Sequence, residues 1–256
     1  MSPRPGTLFL VPNTLDFGVA DASADLDELL PRSAIRIAAR LDHWLCENAK
    51  TTRAFLKRVD AVVALAQPLQ TLTIVELPRP AKGRAPDRPA PVDALLAPAL
   101  AGFDMGLLSE AGLPAVADPG AAVVAAAHAA KVPVVVLPGA SSIVLALAAS
   151  GLEGQSFAFV GYVPVAADAR AARLRELEAI SRRHRQTQLM IETPYRNAAL
   201  LDALLAHLQP ATRLSVSVGL TVAAGFTRTD SVAGWRRAAT ALPADLPAMF
   251  AILGSG

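Results

Sequence analysis

Two carboxylates, Glu110 and Asp118, lie in the stretch LLSEAGLPAVADPG at residues 107–120, where they could work as an acid and base pair. A second polar group, Glu47-Asn48-Ala49-Lys50-Thr51-Thr52-Arg53, gathers a carboxylate, an amide, two hydroxyls and two cations behind an expected strand. Each has a plainer alternative. Asp118 precedes Pro119-Gly120 and an expected helix, where an Asp ordinarily caps backbone amides and serves stability. Asn48 and its neighbours equally suit a capped helix start, or one wall of a substrate cleft. Nucleophilic chemistry is disfavoured, because Ser109 is not in a G-x-S-x-G elbow and no histidine has a place beside it. His43, His128, His184 and His207 are scattered without ligand spacing and Cys46 is the only cysteine, so no metal site is expected.

The elements that would position these groups alternate between strand and helix. Strands are expected at Thr7–Val11, His43–Cys46, Thr71–Val75, Met105–Leu108, Val132–Leu137, Phe157–Val160, Leu189–Glu192, Leu214–Val218, Phe226–Ser231 and Ala248–Leu253. Val132–Leu137 reads as fully buried. Helices are expected at Pro31–Arg40, Thr51–Arg58, Val92–Leu100, Ala121–Ala130, Ser141–Ser150, Ala167–Arg183 and Asn197–Leu208, with Ser141 as an N-cap. Pro78–Pro91 reads as a loop. The alternation predicts an α/β fold, with a mixed sheet toward the end of the chain. A junction at Pro138-Gly139 divides it into domains at 1–137 and 138–256.

Four expected strand ends carry loops of proline or glycine with small hydroxyl residues: Val11-Pro12-Asn13-Thr14, the 107–120 stretch, Leu137-Pro138-Gly139-Ala140-Ser141-Ser142, and Glu192-Thr193-Pro194-Tyr195-Arg196. In open α/β sheets, ligands bind beyond the carboxyl ends of strands. Such loops expose backbone N–H and C=O groups to a ligand, although proline and glycine also simply punctuate turns. Neither G-x-G-x-x-G after the first strand nor G-x-x-x-x-G-K-[ST] is present, which disfavours Rossmann dinucleotide and P-loop phosphate binding.

The net charge of +2 is too small to argue for nucleic acid by itself. The arginine-rich helix ending in Arg182, Arg183, His184 and Arg185 is either a solvated face whose cations complement the helix dipole or a patch for anions or RNA phosphates. No apolar run reaches the ~20 residues of a membrane span. The single cysteine and the short N-terminal apolar run suit a cytoplasmic protein.

Together the motifs GTLFLVPN at 6–13, ENAKTTRAFLK at 47–57, LLSEAGLPAVADPG at 107–120, VVVLPGASSIVLALAASGL at 134–152, FVGYVP at 159–164, IETPYR at 191–196 and PAMFAIL at 247–253 resemble the tetrapyrrole methylase superfamily of S-adenosylmethionine-dependent methyltransferases. The nearest branch 2'-O-methylates a ribose in small-subunit ribosomal RNA. The resemblance implies two α/β domains with the cofactor, S-adenosyl-L-methionine, in the cleft between them, and a homodimer. Carried over by position, it implies cofactor contacts from Pro12, Glu110, Ala111, Gly112, Leu113, Ser141, Ser142, Ile191, Glu192, Thr193, Leu220, Thr221, Pro247 and Ala248. A general base is needed only where a hydroxyl acceptor must lose its proton. Glu47 is the choice for it, with Asn48 and Arg53 as orienting neighbours.

The chain departs from that branch on the acceptor side. A proline-threonine-proline stretch ending in glycine-asparagine is here Pro12-Asn13-Thr14-Leu15-Asp16. E-D-T-R is Glu47-Asn48-Ala49-Lys50, a histidine- and asparagine-containing loop is Glu76-Leu77-Pro78-Arg79-Pro80, and E-L-T-K is Gly219-Leu220-Thr221-Val222. Three functions therefore stay open: methylation of RNA, methylation of a tetrapyrrole or another small metabolite, and non-catalytic binding of S-adenosylmethionine.

Overall fold

A computed structural model describes residues 4–16, 25–78, 92–238 and 240–255. The expected loop at Pro78–Pro91 lies, from residue 79 onward, outside the described residues. The chain divides into two compact units, Met1–Ala140 and Ser141–Gly256, against an expected division after Leu137.

The first unit runs β1 (Leu8–Val11), α1 (Leu26–Leu29), α2 (Arg32–Arg40), β2 (His43–Cys46), α3 (Ala49–Val62), β3 (Thr73–Glu76), α4 (Val92–Leu95), α5 (Ala97–Leu100), β4 (Met105–Leu108), α6 (Ala121–Ala129) and β5 (Val134–Val136). Its five strands form a parallel sheet in the order β3-β2-β4-β1-β5. Successive residues of β1 point to opposite faces. Phe9 and Val11 pack with Ala34, Ile35 and Ala38 of α2 and Phe55, Leu56 and Val59 of α3. Leu8 and Leu10 pack with Ala99, Val123 and Ala127 on the other face. Burial on both faces explains why β1 and β4 read as unbroken apolar runs. Gly106 in β4 makes room for Trp44, since a Cβ there would sit 2.6 Å from the indole ring.

Four expectations change in this unit. The helix expected at Thr51–Arg58 runs from Ala49 to Val62, because Asn48 caps it and Thr52, Phe55, Leu56 and Val59 form one buried stripe. The strand expected from Thr71 starts at Thr73, after a 3₁₀ turn at Leu69–Thr71. The helix expected over Val92–Leu100 breaks at Leu96, since Pro98 has no N–H to continue the ladder and its ring crowds the preceding turn. The strand expected at Val132–Leu137 shortens to β5 and is not fully buried: Val135 and Val136 are 40% and 59% exposed, because β5 is an edge strand beside β1 alone.

The second unit runs α7 (Ser142–Ser150), β6 (Phe157–Phe159), α8 (Ala167–His184), β7 (Thr187–Glu192), α9 (Asn197–His207), β8 (Arg213–Val218), β9 (Phe226–Ser231), α10 (Val232–Arg237) and β10 (Ala248–Leu253). Its sheet is mixed, in the order β6-β7-β10-β8-β9, with only β6 and β7 parallel. On one face Phe250, Ile252, Leu214 and Val216 pack with Leu174 and Leu177 of α8 and Leu200 and Leu204 of α9. On the other, Met249 and Ala251 pack with Ile143, Ala146 and Leu147 of α7. The buried Glu178 of α8 accepts from the Gln209 N–H at 2.8 Å and from the Thr212 hydroxyl, tying α8 to the end of α9. Among the described residues no helix is long and apolar enough to cross a membrane.

Candidate functional site

In the first unit the parallel register brings the polar loops to one sheet edge. Val11 of β1 and Cys46 of β2 both stand opposite Leu108 of β4. Pro12-Asn13, Glu47-Asn48 and Ser109-Glu110 therefore leave the sheet side by side, at the carboxyl ends of adjacent strands. That is the edge at which open α/β sheets bind ligands.

The 107–120 stretch has an unusual backbone. Gly112, Ala115, Ala117 and Gly120 all have positive φ, at 65°, 65°, 65° and 134°. For the two alanines this conformation is disfavoured by the Cβ and is held by the surrounding structure. The first part of the stretch, from Ser109 to Gly112, is braced by Asn13. Its side-chain amide donates to Ser109 O at 3.1 Å and to Glu110 O at 3.0 Å, and its backbone N–H donates to Gly112 O at 2.8 Å. Its Oδ1 accepts from the Thr14 N–H at 2.9 Å, so both ends of the buried amide are used. Next to it, Thr14 donates to Asp16, which is ion-paired with Arg58 of α3 at 2.9 Å. Pro12 lies against Gly139, where a Cβ would come within 2.2 Å of the proline ring.

Glu47 meets the same loop. Its Oε2 accepts the Glu110 N–H at 3.1 Å. Asp118 joins them and corrects its expected role as a helix cap. Gly120, not Asp118, occupies the N-cap position of α6, and no side chain caps that end. Asp118 instead lies within electrostatic reach of Glu47 and Glu110. Burial, then the charges of Glu47 and Glu110, push its carboxyl up to about 6. The nearby Ser109 hydroxyl pulls weakly the other way. Ser109 Oγ is itself buried and has no partner in hydrogen-bonding geometry.

The other members of the Glu47–Arg53 group are less available. Asn48 Oδ1 accepts from the Lys50 N–H at 2.9 Å and the Thr51 N–H at 3.4 Å, which caps α3. Arg53 is exposed and folds back on its own helix, donating to Ala49 O at 3.3 Å. The neighbouring Cys46 is buried, and burial raises its thiol above the ordinary range, which suits a packing residue better than a nucleophile.

The second unit gathers its own set. Ala248 at the start of β10 stands opposite both Glu192 of β7 and Val218 of β8. Ile191–Thr193, Leu220-Thr221 and Pro247-Ala248 therefore share one sheet edge. Ile191 and Leu220 also pack with Ile143 and Leu147 of α7, the helix opened by Ser141 and Ser142. Ser141 stands at the N-cap position, yet its side chain makes no capping bond. The turn after β8 is tight: Gly219 and Thr221 have φ of 58° and 73°, and the Gly219 N–H donates to Pro247 O at 3.1 Å. Asn197 supports it by donating to Leu246 O at 2.9 Å. The Glu192 carboxylate is committed to the Thr193 N–H at 2.7 Å and to Arg196 at 2.6 Å.

Sequence reasoning passed over the bracing roles of Asn13 and Asn197, and it did not join Glu47 to the Glu110 and Asp118 pair. A buried amide that braces a distant backbone leaves no local pattern in the chain. Among the described residues no group of three or more His, Cys, Asp or Glu side chains could hold a metal ion.

The family of Tetrapyrrole (Corrin/Porphyrin) Methylases matches residues 26–229. A ribosomal RNA small subunit methyltransferase I of Vibrio cholerae is 39% identical over 106 residues, covering 41% of this chain and 35% of that protein. A protein of the same name from Streptococcus pyogenes is 30% identical over 201 residues, covering 78% of this chain and 60% of that protein. The chain thus matches between about a third and three-fifths of the length of these relatives. The crystal structure of a uroporphyrin-III-C-methyltransferase from Thermus thermophilus superposes with a TM-score of 0.52 at 21% identity, over 97% of this chain and 92% of that one, and shares the fold.

Proposed function

We propose, from the premise that this chain belongs to the tetrapyrrole (corrin/porphyrin) methylase family, that it is an S-adenosylmethionine-dependent methyltransferase acting on the ribose 2'-hydroxyl of an RNA. The observation that carries this reading is the braced left-handed loop at 109–120 with three carboxylates at one sheet edge. The names of the curated relatives support RNA as the acceptor.

The residues present suit the cofactor. Left-handed backbone at Gly112 leaves a cradle that a Cβ would narrow, 3.3 Å from Leu15 and 3.6 Å from Ala140 O. The Ser109 hydroxyl is buried without a partner, and three carboxylates suit a cationic sulfonium and ammonium. On the first unit, Pro12, Glu110, Ala111, Gly112 and Leu113 would hold it. On the second, Ser141, Ser142, Ile191, Glu192, Thr193, Leu220, Thr221, Pro247 and Ala248 would do so, chiefly through backbone. When bound, S-adenosylmethionine supplies an already activated methyl group, so the protein chiefly aligns the acceptor.

Proton removal falls to the Glu47 and Asp118 carboxylates. Glu47 is held in place by the Glu110 N–H. Asp118, with its carboxyl near 6, can take up and release a proton close to neutral pH. Asn48 fixes the start of α3, and through that helix it sets the position of Arg53, which would steer the acceptor. We place the enzyme in the cytoplasm, which its single cysteine suits, and as a homodimer, as the family resemblance implies.

Calorimetry with S-adenosylmethionine and S-adenosylhomocysteine tests the cofactor reading, and binding of neither would sink it. Incubation with methyl-labelled cofactor, followed by separation of RNA from small molecules, tests the acceptor. The altered Gly219-Leu220-Thr221-Val222 turn favours a second reading, in which the label appears in a tetrapyrrole or another metabolite.

A further inference from the structure

The chain has only two tyrosines, Tyr162 and Tyr195, and both are exposed, at 56% and 77%. They follow β6 and β7, which are adjacent and parallel in register from Phe157↔Thr187 to Phe159↔Leu189. Both rings therefore leave the same edge of the second unit's sheet. The Tyr162 loop is pinned to β7, with the Val160 N–H donating to Leu189 O at 2.8 Å and the Ile191 N–H donating to Gly161 O at 3.2 Å. Arg196 stands beside Tyr195. Its guanidinium lies 5.8 Å from the Tyr195 ring centroid, and both phenols influence its charge. Glu192 holds Arg196 in that place through Nε at 2.9 Å and Nη2 at 2.6 Å.

A second cation borders the same loop. Arg170, in the first turn of α8, donates from Nη1 to Val165 O at 3.3 Å. Its Nε is buried and has no acceptor among the described residues, and Arg170 forms no ion pair with a carboxylate among them. An orphaned guanidinium N–H needs an anionic or carbonyl oxygen.

Two exposed aromatic rings at one sheet edge, a guanidinium beside one of them and a second guanidinium whose Nε has no acceptor among the described residues match one kind of partner. Bases stack on aromatic side chains regardless of sequence, and arginines take the intervening phosphates. We propose that Tyr162 and Tyr195, with Arg196 and Arg170, form a stacking platform for a single-stranded RNA segment of the acceptor. This rests on the reading of the acceptor as RNA.

The test uses the full chain and a fluorescein-labelled, mixed-sequence single-stranded RNA of about 12 nucleotides, followed by fluorescence anisotropy across a salt series. Tyr195→Ala and Tyr162→Ala should each weaken binding by about 5-fold to 100-fold, with the salt slope unchanged. Tyr195→Phe should stay within about twofold of wild type, since the ring that stacks is kept. Arg170→Gln should lower the salt slope by about one phosphate contact. Sedimentation of each variant should match wild type. Undiminished RNA binding by the Tyr162→Ala/Tyr195→Ala double variant overturns the platform and leaves the methyltransferase reading standing. Wild-type protein that binds no RNA overturns the platform and the RNA acceptor together. A Tyr→Ala variant that loses binding only by changing oligomeric state also overturns it, because the rings would then belong to a subunit contact. Loss of S-adenosylmethionine binding by wild-type protein would instead sink the cofactor reading, which calorimetry on the same preparations reads separately.

Discussion

The side chain of Glu47 accepts the backbone N–H of Glu110 at 3.1 Å, so the end of β2 and the loop after β4 act as one piece. Two roles meet in that carboxylate, a brace for the loop and a charge for chemistry. Glu47→Gln separates them, because an amide oxygen still accepts the N–H but holds no proton. Glu47→Gln should bind S-adenosylmethionine within about threefold of wild type while single-turnover methyl transfer falls by roughly 10²-fold. Glu47→Ala should weaken both. Equal transfer rates for Glu47→Gln and wild type would remove Glu47 from the proton path.

Asp118 predicts opposite effects on stability and rate. Its carboxyl titrates near 6 in the folded protein, against 3.8 for an unperturbed Asp. Between those values the folded state holds a proton that the unfolded state has released. Stability from this group is therefore fully present below pH ~4 and is lost as pH rises through ~6. Asp118→Asn removes the penalty, so its Tm relative to wild type should rise across that window and stay higher above it. After allowance for solvent screening, the gain should be about 2–4 °C. A helix cap would instead lose stability on the same substitution. Methyl transfer should follow an apparent pKa near 6 in wild type and lose that inflection in Asp118→Asn.

The sheets were legible in the chain because β1, β4 and β10 are buried and therefore written in apolar residues. β5 was legible as a strand but not as an edge, since Val134–Val136 is as apolar as a central strand and only the sheet order exposes it. The loop at 109–120 announced itself through Gly112 and Gly120. Ala115 and Ala117 did not, because alanine ordinarily avoids positive φ and only the folded surroundings hold it there. Asp118 was misread because its local context, Asp-Pro-Gly before a helix, resembles a cap, whereas its neighbour Glu47 is remote in sequence.

Asn48 carries a prediction that tests structure against chemistry. Its Oδ1 satisfies two amides at the start of α3, so Asn48→Ala should cost about 1 kcal/mol in urea unfolding. Asn48→Asp keeps the cap and should restore that stability. If Asn48 acts on the acceptor only by fixing α3, the Asp variant should also restore methyl transfer. Full stability without recovered transfer would assign the amide group itself to the acceptor.

Asn13 and Gly112 test whether the loop's shape is what binds. The Asn13 amide donates to two carbonyls of the loop, and Asn13→Ala leaves both without that partner, at about 2 kcal/mol or more. Asn13→Asp is more severe, because it sets a carboxylate against the same two carbonyls. Gly112→Val acts differently: it touches no hydrogen bond but forces a β-branched residue to φ 65°, with its Cβ 3.3 Å from Leu15. All three variants should lose S-adenosylmethionine affinity by about 30-fold or more while the far-UV spectrum stays native. Affinity that follows global stability across the three, rather than falling steeply in each, would mean that the loop is a scaffold and the binding groups lie elsewhere.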